Sequence, residues 1–332
     1  MHGAKKDSAP APCAVPREEI CAHEFYHTYH GHSSAHLNAL LRCLPHAHRI
    51  FLVGDSSLDN KYWLLSGGPK STVPACNGYE GILSPPRSFP DIAHHLNFLL
   101  SAQRLPYVAI NAAVEESALC ERVSPRLLEQ DRLVAGAARP GDVLVACAGG
   151  NDVVLKPSLA LIASLAALLA CASEASLAAG TARGLAHFID LFQAQYGDYL
   201  RRLCAGSPSL VIVCMVYYPQ HALPGVTSWA DTSLSLLGYT RSPETLQRIM
   251  RAVFVHAVSK IAPPTPATRI VPLALFDVLD ASSPEDYVQR VEPSALGGEK
   301  MARAILRAML ESQGGGAAGP PPEGADQHAI LP

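Results

Sequence analysis

The chain has 332 residues, is 48% hydrophobic and 17% charged, and carries a formal net charge of -3. That balance excludes a disordered chain and, with no long basic run, leaves no electrostatic footprint for nucleic acid. Nine cysteines, an odd number with no Cys-x-x-Cys pair, argue against a disulfide framework or a thiolate zinc site and favour a reducing, cytoplasmic compartment.

In chain order, residues 1–20 read as a flexible preamble without an apolar leader. Residues 21–312 read as one domain opening with an N-terminal helix, and 313–332 as a disordered Gly/Pro-rich tail. Inside the opening helix, "HEFYH" (His23 to His27) matches the His-Glu-x-x-His pattern that sets two imidazoles one helical turn apart for zinc. The match is short, sits in a histidine-rich region and lacks a third ligand at the expected spacing. An amphipathic helix is the plainer reading, and a zinc-dependent hydrolase the distant alternative.

The first core strand is predicted at Ile50–Val53 and stops at Gly54-Asp55-Ser56-Ser57. A helix over Asp91–Gln103 follows, in which His94 and His95 read as packing residues. The second strand, Tyr107–Ile110, runs into "NAAVEES", with Asn111, Glu116 and Ser117. A helix over Pro125–Ala138 leads to the third strand, Val143–Ala146, which ends in "GGND", Gly149 to Asp152.

From Lys156 to Glu174 no charge intervenes, but the apolar run is diluted by serine and alanine and falls short of the about 20 residues that a membrane span needs. It reads as a small-residue core helix or a covering insert. A helix over Gly184–Leu203, a strand over Leu210–Val216, an irregular stretch Gln220–Arg241 suited to a lid, a helix over Pro243–Ile261, a strand over Ile270–Leu273 and a helix over Gly298–Leu310 complete the chain.

The strands are apolar throughout rather than alternating, as strands covered on both faces should be. Strand and helix in alternation define an α/β fold: three layers, α/β/α, around a doubly wound, mostly parallel five-stranded sheet. Ligands in such folds gather at the carboxyl ends of the strands.

Three of those ends carry polar residues that supply different parts of one chemistry. Acyl transfer needs a hydroxyl nucleophile and donors aimed at the developing oxyanion. Ser56 offers the hydroxyl, at a helix start whose N–H groups point the same way. The Asn151 amide and a backbone N–H near Glu116 offer donors, each worth about 3 kcal/mol in a formed site. Separately, Gly, Asp, Asn and Ser are ordinary turn residues after a strand.

The constellation resembles the SGNH, or GDSL-type, hydrolase family over roughly residues 49–312: a Gly-Asp-Ser block, a second block giving an oxyanion donor, then Gly-x-Asn-Asp, in that order. The resemblance implies a Ser56 nucleophile, an oxyanion hole from Asn151 with the backbone at Ser56 and Glu116, and no cofactor. It points to a carboxylic ester or an acylated sugar as substrate. Asp55, Gly150, Asp152 and His221 would then border the substrate.

Two departures stand out. The family places glycine where Glu116 stands. Its Asp-x-x-His-Pro block reads "QRVEP" here, with Gln289 for the aspartate and Glu292 for the histidine base. A carboxylate is a weaker base at neutral pH, its reference pKa being about 4.3 against about 6.5 for histidine. Three readings stay open: Glu292 acts as an unusual base, His221 takes over, or the pocket binds a ligand without turning it over.

Overall fold

The computed structural model describes residues 18–45, 47–67, 71–123 and 125–314; most of the expected preamble and tail lies outside the described residues. The central sheet is built from β1 (His48–Gly54), β2 (Tyr107–Asn111), β3 (Val143–Cys147), β4 (Leu210–Met215) and β5 (Arg269–Ala274). All five strands are parallel, in the order β2-β1-β3-β4-β5.

Successive residues of each strand enter opposite cores. Phe51, Val53, Ile110, Leu144 and Val213 face one layer, and Ile50, Leu52, Ala109, Val145 and Ile212 the other. Both sets are buried, which is why the strands read as unbroken apolar runs.

The helices are α1 (Ala22–Tyr26), α2 (Ser34–Cys43), α3 (Ile92–Ala102), α4 (Glu129–Ala137), α5 (Gly150–Val154), α6 (Leu159–Cys171), α7 (Glu174–Ala178), α8 (Leu185–Ile189), α9 (Tyr196–Leu203), α10 (Asp231–Leu236), α11 (Pro243–His256) and α12 (Ala295–Gln313). α3 and α12 cover one face of the sheet, with Leu96, Leu100, Met301 and Ile305 fully buried. α2, α4, α9 and α11 cover the other.

The helix expected over Gly184–Leu203 is interrupted. Residues Asp190–Gln195 form a π-helical turn between α8 and α9, although the apolar period runs on through Leu191 and Phe192. Toward the N-terminus, Ile20 and Cys21 pair with Leu83 and Ser84, so the chain joins the fold before α1 begins. The charge-free segment forms α6, whose Leu161, Leu165 and Leu168 are buried while Leu159 stays 87% exposed; it covers the fold instead of filling its centre. Among the described residues, no helix is long and apolar enough to cross a membrane.

The strand order places the topological switch point at β1. The chain leaves it for β2 on one side and returns for β3 on the other. Crevices outside the carboxyl ends at such a point bind ligands. Two predicted polar blocks, Gly54–Ser57 and Gly149–Asp152, follow the two strands that meet there.

Candidate functional site

Gly54 ends β1 at φ +119°, and a Cβ there would lie 1.8 Å from the carbonyl oxygen of Cys147 on β3. Only glycine fits this turn. The Gly54 carbonyl then accepts from the Val114 N–H at 3.0 Å, from Arg122 Nη2 at 2.9 Å and from Ser117 Oγ at 3.3 Å. Arg122 is itself fully buried and bound to Asp131 at 2.8 Å, which also accepts from Tyr199 at 2.7 Å. The strand end is therefore fixed from three directions before the chain reaches Ser56.

In the turn, the Asp55 N–H donates to Cys147 O at 3.0 Å, and the Ser57 N–H donates to Asp55 Oδ1 at 3.0 Å. Asp55 is buried beneath the site, and desolvation raises its carboxyl to about 6. Ser56, between them, is half-buried and lines a cavity of about 120 Å³.

Gly150, Asn151 and Glu292 line that same cavity, from the start of α5 and from a short hairpin. Gly149, at φ +105°, turns the chain into α5, and Phe192 packs where its Cβ would stand. Asn151 Nδ2 donates one hydrogen to Ser117 O at 3.0 Å, which holds the amide across the block after β2 and leaves its second hydrogen for another acceptor. The hairpin pairs β6 (Tyr287–Val288) with β7 (Glu292–Pro293), with Val288 opposite Glu292. Asn60 fastens it to the segment after the Ser56 turn by donating to Pro293 O at 3.1 Å while accepting from the Ile92 N–H at 3.1 Å.

The other residues singled out from the sequence lie as follows. Glu116 is exposed at φ +58°, its carboxylate accepting from Tyr29 at 2.9 Å, and it does not line the Ser56 cavity, contrary to the oxyanion-donor expectation. The left-handed conformation explains why glycine suits this position. Asp152 is buried, and both its oxygens are taken by the N–H groups of Leu119 (2.6 Å) and Cys120 (2.8 Å), so it braces the 119–122 turn.

His221 is on the β4 side: its N–H donates to Ala281 O, and its ring contacts Gln247 at 3.3 Å. Among the described residues, no histidine lines the Ser56 cavity. His23 and His27 stack with ring centroids 3.7 Å apart. Among the described residues, no group of three or more His, Cys, Asp or Glu is placed to hold a metal ion.

Sequence reasoning missed the charged layer beneath the pocket. Glu115 is buried, its Oε1 accepting from Trp63 Nε1 at 3.2 Å and its Oε2 unpartnered. Glu292 Oε2 is likewise buried and unpartnered. Burial, then the Asp59 charge, pushes Glu115 up to about 8. Burial, then the Glu115 and Asp55 charges, holds Glu292 well above the ordinary carboxylate range. Asp59 and Lys61 form a fully buried ion pair at 2.5 Å in the same layer. Asp59 and Lys61 follow the Ser56 turn in sequence and Glu115 the Asn111 turn, where text of this kind usually marks solvated loop.

Away from Ser56 the cavity is apolar. Phe188, Phe192, Met215, Leu246 and Val253 line it, and Trp229 closes its edge, with its ring 6.4 Å from that of Trp63. Trp229, Leu234 and Leu237 all come from the irregular segment expected to form a lid. Tyr79 and Asn77, by contrast, are spent on the fold, donating to Ala109 O and to Asn97.

Fold and site together define an α/β/α protein with a serine, an amide and a carboxylate gathered at its topological switch point. No family model matches the chain, and no curated protein is similar to it in sequence. Among solved structures, a lipase from a goat rumen metagenome is 15% identical at TM-score 0.40, over 79% of this chain and 97% of its own. A GDSL-like lipase from Bacteroides thetaiotaomicron is 12% identical at TM-score 0.37, over 80% of this chain and 88% of its own. A family 3 carbohydrate esterase from Clostridium thermocellum is 11% identical at TM-score 0.39, over 80% of this chain and 96% of its own.

Proposed function

We propose that the protein hydrolyses a carboxylic ester or removes an O-acyl group through Ser56, with base chemistry that is weak at neutral pH. The observation that carries this is the convergence of Ser56, Asn151 and Glu292 on one cavity from three distant parts of the chain. Ser56 Oγ attacks the ester carbonyl carbon, and its proton passes to the Glu292 carboxylate. The second hydrogen of Asn151 Nδ2 and the Ser56 N–H steady the oxyanion. Collapse of the intermediate expels the alcohol, which takes the proton back from Glu292. Water then releases the acid from the acyl-serine by the same route in reverse.

Glu292 can accept a proton only when ionised, and burial beside Glu115 opposes that. The rate should therefore climb with pH over a range well above that of an ordinary carboxylate. The same opposition to ionisation favours a second reading, in which the pocket holds an ester and turns it over little or not at all.

A serine-directed fluorophosphonate separates the two: it should label the wild type and not Ser56→Ala. Absence of labelling up to about pH 9 in folded protein would favour binding without turnover. Hydrolysis of p-nitrophenyl esters that keeps its full rate in Glu292→Gln would remove the carboxylate from the mechanism.

A further inference from the structure

In the sequence the charge-free segment read only as a small-residue core helix or a covering insert. In the structure it walls the site: Leu165 of α6 reaches the same cavity as Ser56, facing Phe192 of the π-helical turn, Leu234 of α10 and Leu246, Met250 and Val253 of α11. Its lining holds few polar side chains, those of Ser56, Ser57, Asn151, Tyr217 and Glu292, and its remaining walls are almost wholly aliphatic or aromatic. None of the helices bearing those six residues belongs to the α3 and α12 layer on the opposite face of the sheet.

We infer that this cavity is an acyl-chain site, and that the substrate's acid part is an unbranched chain of about six to ten carbons whose carbonyl lies between Ser56 and Asn151. The inference rests on the ester-hydrolase reading for its chemistry, but the apolar site would exist without it. An acetyl group would leave most of the roughly 120 Å³ cavity unfilled. A sugar on the acyl side would bury hydroxyls against Leu165, Phe192 and Val253, where no side chain can pair them. A flexible chain satisfies both constraints. The sugar or alcohol part, if polar, faces the other way, toward Trp229, which is 42% exposed.

Each methylene moved from water onto apolar walls is worth about fourfold in binding. For p-nitrophenyl esters of acetate, butyrate, hexanoate and octanoate, kcat/KM should therefore rise along the series, by about sixtyfold overall even if only half of the added chain is buried. Filling the cavity from either of two separate helices, Leu165→Phe or Val253→Phe, should flatten that rise and move the optimum to shorter chains. Ser56→Ala should bind 1-octanol more tightly than 1-butanol, read from indole emission because Trp229 lines the site, and either filling substitution should reduce the difference.

A wild type that hydrolyses all four esters equally, or favours acetate, overturns the inference and leaves ester hydrolysis standing. No hydrolysis, with selective octanol binding that the filling substitutions weaken, upholds the chain site and overturns the ester-hydrolase reading. Neither hydrolysis nor octanol selectivity overturns both.

Discussion

Glu115 offers the sharpest test of the charged layer. The residue is 3% exposed, with Asp59 and Asp55 nearby, and its carboxyl is raised from 4.5 to about 8, chiefly by burial. Between those two values the folded protein keeps a proton that the unfolded chain has released. The contribution to stability is whole below about pH 4.5 and is lost as pH rises through about 8. The displacement corresponds to about 5 kcal/mol once the pH exceeds the folded value.

Glu115→Gln removes the titration, yet its amide oxygen can still accept from Trp63 Nε1. Urea unfolding of both proteins should show a small difference near about pH 5 and a variant more stable by several kcal/mol near about pH 9. Equal differences at the two pH values would refute the reasoning, because they would mean that Glu115 titrates alike in the folded and unfolded chains.

Other substitutions probe the remaining parts. Glu292→His places an imidazole on the hairpin and should raise kcat/KM for a p-nitrophenyl ester by about 10²-fold near pH 7, with an inflection near about 6.5 in place of the wild type's climb with pH. An unchanged rate and profile would show that residue 292 does not take the Ser56 proton. Gly54→Ala forces a methyl against the Cys147 carbonyl in left-handed backbone and should cost about 4 kcal/mol or more, seen as a lowered urea midpoint. Asp152→Ala strands two N–H groups and should cost about 2–4 kcal/mol, whereas Ser56→Ala should leave the midpoint nearly unmoved.

The sheet was legible because its strands are buried on both faces. Tyr107–Ile110 and Val143–Ala146 each differ from the observed strands by a single residue at one end. Ser56, Gly150 and Asn151 could be singled out because glycine and small polar residues must follow a strand that stops at a crevice, and all three line one cavity.

What stayed hidden depends on contacts between distant segments. Nothing local marks Glu115 or Lys61 as buried, or Arg122 as a clamp on the Gly54 carbonyl 68 residues away. The break at Asp190–Gln195 was equally invisible, since Leu191 and Phe192 continue the apolar pattern while the hydrogen bonding slips by one residue.

That slip has a consequence for how the protein could be retuned. A π turn is an inserted residue that the helix has absorbed, and each residue added or removed swings its neighbours by about 100° around the axis. Deleting one position among 190–195 would rotate a different side chain into the place of Phe192 while the parallel strands stayed put. Substrate preference could then drift by a change in loop arithmetic alone, leaving the serine turn and its three anchors untouched.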